Sequence, residues 1–234
     1  MGVPDTLVER LRRLDSCAVS DALDSLGQPG CVSGIIQLTG TRRIAGRAVT
    51  VKIGTSKPAG GTTRHLSTGA IEAAHRGDVI VIEQRTGIEA AGWGGVLSNA
   101  AKYREVSGVV VDGPARDINE SRALDFPVFA RSATALTARG RTYEEDFNCP
   151  VCIGALTVHP GDLVIADASA VVFIPAAKAE QVITIAERIT AREALMTRDI
   201  HQGKPASRVM GTDYETMLDA PTGSDPHLGS DPVR

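Results

Sequence analysis

Aromatic side chains make up only 3% of this 234-residue chain, so it has few rings on which nucleic-acid bases could stack. Its net charge is also small, -3 at pH 7, and gives little of the field that draws a protein to nucleic acid or to a membrane surface. No stretch approaches the roughly 20 apolar residues that a membrane helix requires. Met1 to Leu14 is charged and lacks the apolar centre of a secretory signal. Neither nucleic acid nor membrane is therefore an expected partner, and the expected compartment is the cytoplasm. Histidine provides no metal site, because His65, His75, His159, His201 and His227 include no close pair. Cys149 and Cys152 have the spacing of half a zinc site, but no second Cys or His pair accompanies them. Val151-Cys152-Ile153 reads instead as a strand in which the cysteines are buried as small hydrophobes. Lysines are few: Lys52, Lys57, Lys102, Lys178 and Lys204. Lys52, on a strand, is the candidate for a Schiff-base nucleophile, against the reading that it sits on the solvent face of that strand.

What the chain does contain is an alternation of helical and strand patterns. Leu7 to Leu14 and Ser20 to Leu26 read as short amphipathic helices, and Ala45 to Ile53 as a half-buried strand. Thr68 to Arg76, closed by Gly77, predicts a helix and Val79 to Glu83 a strand. A glycine-rich loop follows over 84–94, then a helix over Val96 to Val106 and a strand over Val109 to Asp112. Ile118 to Leu124 and Val128 to Ala130 repeat the pair, and Val151 to Ile153, Leu163 to Asp167 and Val171 to Ile174 are short apolar strands. Gly77-Asp78 and Gly161-Asp162 each feed an apolar run that ends in a carboxylate, which is either a faint repeat or common turn grammar. Ala176 to Gly203 predicts one long helix. Residues 1–203 then form a single α/β catalytic domain, and 204–234, rich in Pro, Gly, Ser and Asp, a tail that is partly disordered or wraps a neighbour.

The segment most suggestive of chemistry is Gly108 to Ile118. Val109-Val110-Val111 predicts a buried strand stopped by Gly113-Pro114, with Arg116 and Asp117 just beyond. Charged residues at the carboxyl end of such a strand are where α/β proteins hold ligands. The arginine offers a fork of donors for a carboxylate or enolate, and the aspartate a hard oxygen for a divalent cation. The competing reading is a surface turn whose aspartate caps the following helix.

Val19-Ser20-Asp21-Ala22-Leu23, Gly46 to Val51, Gly77 to Val81, Trp93 to Lys102, Gly108 to Asp117, Pro160 to Asp167 and Val171 to Pro175 occur in an order that resembles one family. It is the regulator-of-ribonuclease-activity-A-like family, which includes the 4-hydroxy-4-methyl-2-oxoglutarate (4-carboxy-4-hydroxy-2-oxoadipate) aldolases. The resemblance implies an α/β fold of the swivelling β/β/α type with a long carboxy-terminal helix. It also implies a ring-shaped homotrimer or a homohexamer of stacked trimers, with sites between subunits. It further implies a lyase dependent on magnesium or manganese that cleaves a 4-hydroxy-2-oxo acid to release pyruvate and also decarboxylates oxaloacetate. The alternative is a non-catalytic regulator that binds a ribonuclease or another protein. By position, Arg116 corresponds to the arginine at the 2-keto acid end of the substrate, Asp117 to the direct metal ligand, and Gly94, Gly95, Val96 and Leu97 to the amides that hold the pyruvyl carboxylate. Glu193 falls about where the family places a carboxylate reaching a neighbouring subunit's site. Gly95 stands where many aldolase members carry an acid. The loops 54–66 and 84–92, with Arg64 and His65, are expected to read the substrate's far end.

Overall fold

Residues 5–57 and 64–211 are described by the computed structural model of the chain. In chain order the elements begin with α1 (Thr6–Leu11), α2 (Ser16–Ser25), β1 (Cys31–Val32), β2 (Ile36–Thr39) and β3 (Ile44–Gly54). There follow α3 (Thr68–Ala73), β4 (Val79–Glu83), α4 (Gly95–Tyr103), β5 (Gly108–Ala115), α5 (Ile118–Ala123) and β6 (Val128–Ala133). The rest are β7 (Tyr143–Phe147), β8 (Val151–Ile153), β9 (Leu156–Val158), β10 (Leu163–Ala166), β11 (Val171–Ile174), α6 (Ala179–His201) and α7 (Ala206–Val209). The described residues fall into two compact units, one ending at Glu187 and the other starting at Arg188 within α6. The second unit holds the rest of α6 and α7, and an ion pair of 2.8 Å joins Lys204 to Asp199. The part of the expected tail from 212 onward lies outside the described residues.

In the first unit β3, β4, β5 and β6 pair in parallel, each joined to the next by a helix. At its start β3 also pairs antiparallel with β10, which continues through β11 to β1. Adjacent residues of the parallel strands feed two different cores. Ile80, Ile82, Val109 and Val111 meet Ile71, Leu97 and Ala101 of the helices. Val79, Val81 and Val110 meet Val164, Val171 and Phe173 of the antiparallel strands and Val151, Ile153 and Val158 of the β8–β9 hairpin. The order of layers is therefore strand, strand, helix, in a mixed α/β fold. Strands covered on both faces must be apolar at every position, which is why β4 reads Val-Ile-Val-Ile.

Several local expectations change. β3 is covered on both faces rather than half-buried, with Thr50 fully enclosed and its hydroxyl donating to Cys149 O at 2.6 Å. β5 does not stop at Gly113-Pro114 but runs buried to Ala115, the register slipping between Val111 and Pro114 so that the proline need not donate. Cys152 faces outward on β8 between inward-facing Val151 and Ile153 and Cys149 is only half-buried, so neither cysteine is the buried core residue expected. The two Gly-Asp turns do share a geometry. Both glycines have positive φ, 86° and 85°, and both aspartates accept a 2.8 Å hydrogen bond from the amide three residues back, His75 and His159. Among the described residues no helix is long and apolar enough to cross a membrane.

Two polar contacts bind elements distant in sequence. Asp167 closes the turn between β10 and β11 and accepts hydrogen bonds from Ser16 N at 2.9 Å and Ser16 Oγ at 2.7 Å, anchoring α2. Burial opposes its ionisation, but the hydrogen bonds from Ser16, Ser169 and Ala170 outweigh it and hold the carboxyl below its ordinary 3.8. A depressed folded-state value stabilises above the ordinary value, and that contribution disappears as pH falls through the folded one. Trp93 stacks on Phe126 at 6.1 Å and donates from Nε1 to Ser98 Oγ at 2.9 Å, while Ser98 Oγ meets Ser121 Oγ at 2.8 Å. This buried chain fastens α4 to α5.

Asp167→Ala is expected to cost about 1–3 kcal/mol at pH 7 by urea unfolding, because several donors lose their acceptor. The deficit should shrink as pH drops below 3.8. Ser98→Ala is expected to cost about 1–3 kcal/mol as well, since the Trp93 N–H is left buried without an acceptor. The single tryptophan makes its own fluorescence the probe.

Candidate functional site

The site forms where β5 ends against the loop that precedes α4. Trp93 pairs with Ala115 in a parallel bridge, and Arg116 N donates to Trp93 O at 2.9 Å, so Gly94 and Gly95 lie directly beside Arg116 and Asp117. Asp117 opens α5 but makes no side-chain cap to it, which removes the capping reading. Its backbone is left-handed, φ 56° and ψ 40°, a conformation that costs a residue with a Cβ on the order of 1 kcal/mol and is tolerated mainly by Asn and Asp. The carboxylate turns instead to α4, where Oδ2 accepts from Gly95 N at 3.1 Å. Arg116 Nε stands 3.3 Å from the same oxygen, and both side chains keep 38% of their surface exposed. The pair is therefore not sealed against a ligand. A Cβ on Gly94 would lie 2.9 Å from Asp117 Oδ2 and 3.3 Å from Arg116 Cγ, so the close approach needs glycine there.

At Gly95 a Cβ would fall within the Glu120 carboxylate, the end of an exposed side chain that would have to move aside. Glu120 Oε1 accepts from Asn99 Nδ2 at 2.8 Å, and Asn99 also donates to Gly95 O at 3.1 Å. Inspection of the sequence did not single out Glu120. The available signal was its position three residues after Asp117, one helical turn on, opposite a residue with no side chain. Val96 is 79% exposed at the mouth of the site, whereas Leu97 is a core residue and can offer only its main chain. The amides in the first turn of α4 have no partner within the helix, and that of Gly95 is directed at Asp117. Glu193 lies on α6 in the second unit.

Other candidates are already engaged. Arg64 donates to Glu144 Oε1 at 2.9 Å and lies over the Phe147 ring, and His65 Nδ1 lies 3.0 Å from Leu66 O. Residues 58–63 of that loop lie outside the described residues. Lys52 pairs with Glu145 at 3.3 Å, and its hydrogen bond to Glu145, with the charges of Glu145 and Glu83, raises its pKa. A Schiff-base lysine needs the opposite shift. A cleft of about 790 Å³ opens at the ends of β4, β5 and β6, lined by Gln84, Arg85, Asp112, Pro114, Arg131 and Cys152. It does not include Arg116 or Asp117, and the buried one of its two acids is engaged: Asp112 accepts from Arg131 Nε and from Gly154 N, each at 2.7 Å, while Glu89 is exposed. Sequence reading missed the Asp112–Arg131 pair too.

Comparisons with known proteins agree with the geometry on the family. A family model described as RraA-like, Aldolase/RraA, matches residues 16–173. A Halalkalibacterium halodurans protein provisionally named 4-hydroxy-4-methyl-2-oxoglutarate aldolase is 33% identical over 201 residues, 86% of this chain and 91% of its own. Protein DlpA of Legionella pneumophila is 32% identical over 186 residues, 79% of this chain, although the chain spans only 30% of that relative's length. The crystal structure of Streptomyces coelicolor RraAS2, described as an unusual member of the RNase ES inhibitor RraA protein family, superposes with a TM-score of 0.72 at 28% identity. That match covers 83% of this chain and 98% of the neighbour. The chain belongs to the Aldolase/RraA family.

Proposed function

We propose that the protein is a divalent-metal-dependent lyase that cleaves a 4-hydroxy-2-oxo acid by a retro-aldol reaction, releasing pyruvate, and that it also decarboxylates oxaloacetate. The observation that carries this reading is Asp117, held in a left-handed conformation with its carboxylate turned away from its own helix, next to a half-exposed arginine.

The donor set suits magnesium or manganese. Asp117 Oδ1 has no hydrogen-bond partner among the described residues, and no group of three His, Cys, Asp or Glu surrounds it there. Magnesium is commonly held by one or two carboxylates and completed by water and substrate, so one aspartate is an adequate start. Bound at Asp117, the cation would act as a Lewis acid toward the 2-keto oxygen. The chain's own groups do the rest. Arg116 directs its guanidinium at the oxygen where enolate charge develops, a place where fixed positive charge lowers the barrier most. Its two terminal nitrogens have no protein hydrogen bond among the described residues, so they are available to a substrate. The amides of Val96 and Leu97 offer the substrate carboxylate a helix N-terminus. Cleavage of the aldol and loss of carbon dioxide from oxaloacetate leave the same pyruvate enolate, so one set of groups serves both.

Assembly as a homotrimer or homohexamer, with Glu193 reaching a neighbouring site, is part of the proposal. The exposed apolar side chain of Val96 at the mouth of the site supports an interface there. A cytoplasmic location is supported by four unpaired cysteines. A second reading, a protein-binding regulator, is favoured by the description of the Streptomyces neighbour, but it gives a strained aspartate no role.

Pyruvate release, coupled to lactate dehydrogenase, should appear with oxaloacetate and with some 4-hydroxy-2-oxo acids in the presence of Mg²⁺ or Mn²⁺. EDTA should abolish it and borohydride should not. Arg116→Ala and Asp117→Asn should each lower kcat/KM on the order of 10²-fold, about 3 kcal/mol. Full activity in Asp117→Asn would remove the basis of the proposal, and a folded, inactive wild type would favour the regulator.

A further inference from the structure

The groups assigned so far stabilise the enolate, but none of them takes the proton that a retro-aldol reaction must remove from the C4 hydroxyl. We propose that Glu120 accepts that proton, an assignment that rests on the lyase reading above.

The placement of Glu120 carries the argument. Its carboxylate occupies the volume that a side chain at position 95 would fill, so it lies against the first turn of α4, beside the glycine whose amide Asp117 contacts. Asn99 fixes its orientation through Oε1, while Oε2 has no hydrogen-bond partner among the described residues. One oxygen is thus anchored and the other is open. Asp117 is unsuited to the task, since its Oδ2 is shared between Gly95 N and Arg116 and its remaining oxygen is the cation's. A carboxylate in the first turn of a helix also has a plain structural use, which is to complement the helix dipole, and Glu120 stands in the first turn of α5. The two roles differ in what they predict for the two reactions.

In the cleavage the C4 hydroxyl proton passes to Glu120 and C4–O becomes a carbonyl. The C3–C4 bond breaks, and its electron pair moves through C2 onto the keto oxygen. Returning the proton from Glu120 to C3 yields pyruvate and restores the carboxylate. Oxaloacetate has no C4 hydroxyl. Its C3–C4 bond breaks with loss of carbon dioxide, leaving the same enolate without any base, and solvent water supplies the proton to C3.

The test is to measure both reactions on one set of metal-loaded variants. Glu120→Gln, close to isosteric, should lower aldol cleavage about 10²-fold while decarboxylation stays within a few-fold, so that the ratio of the two rates falls on the order of 10²-fold. Asp117→Asn should lose both reactions together. The backbone at Gly95 is helical, not left-handed, so an aspartate fits there once Glu120 is shortened. Gly95→Asp combined with Glu120→Ala is therefore expected to recover cleavage relative to Glu120→Ala alone. Equal loss of both reactions in Glu120→Gln, or loss of neither, overturns the assignment and leaves the lyase reading standing. A wild type that releases pyruvate from neither substrate overturns the lyase reading and this inference with it.

Discussion

The hydrogen bond from Gly95 N to Asp117 Oδ2 is the contact on which the site depends. It joins the first amide of α4 to the second residue past β5, and it forms with Asp117 in a left-handed backbone. In the extended backbone of an ordinary N-cap, as at Asp5 and Asp15, the carboxylate instead accepts from the amides of its own helix. The strain is held in place from both sides. Ahead of it, β5 is buried along its whole length, and behind it α5 is fixed by Ser121 in the buried chain with Ser98 and Trp93. A stiff strand and a fastened helix leave the two intervening residues, Arg116 and Asp117, little choice.

The same arrangement places two glycines at the start of α4, Gly94 just ahead of it and Gly95 as its first residue. Each leaves room for a charged group from across the gap: Gly94 for Asp117 and Arg116, Gly95 for Glu120. Two carboxylates and one guanidinium thereby gather at the positive end of α4 without any of them being fully buried. The helix terminus offsets the repulsion between the acids, and the cluster stays open to solvent.

Much of the fold was legible because the parallel strands carry the signature of burial on both faces. β4 matches its expected limits, Val79 to Glu83, residue for residue. The end of β5 was not legible, since Pro114 ordinarily terminates a ladder and only the register slip beside it lets the strand continue. β7, Tyr-Glu-Glu-Asp-Phe, was missed because acids are poor strand formers, and here they are admitted on a partly exposed strand with β3 as its only partner among the described residues. The cluster of Arg116, Asp117 and the glycines was found, but its chemistry could not be read from residue types alone. An aspartate ahead of a helix serves equally as cap or ligand, and the decision rests on one dihedral angle. Glu120 was hidden for a similar reason: its significance comes from a side chain that Gly95 lacks, and an absence in one element gains meaning only when another element is seen to fill it.

The most direct measurement of the central claim is calorimetric titration of the wild type and Asp117→Asn with oxalate, a planar mimic of the pyruvate enolate, with Mg²⁺ present and absent. The account predicts Mg²⁺-dependent oxalate binding to the wild type that Asp117→Asn loses while its fold, followed by tryptophan fluorescence, is unchanged. Oxalate binding of equal affinity in the two proteins, or binding indifferent to Mg²⁺, would contradict it.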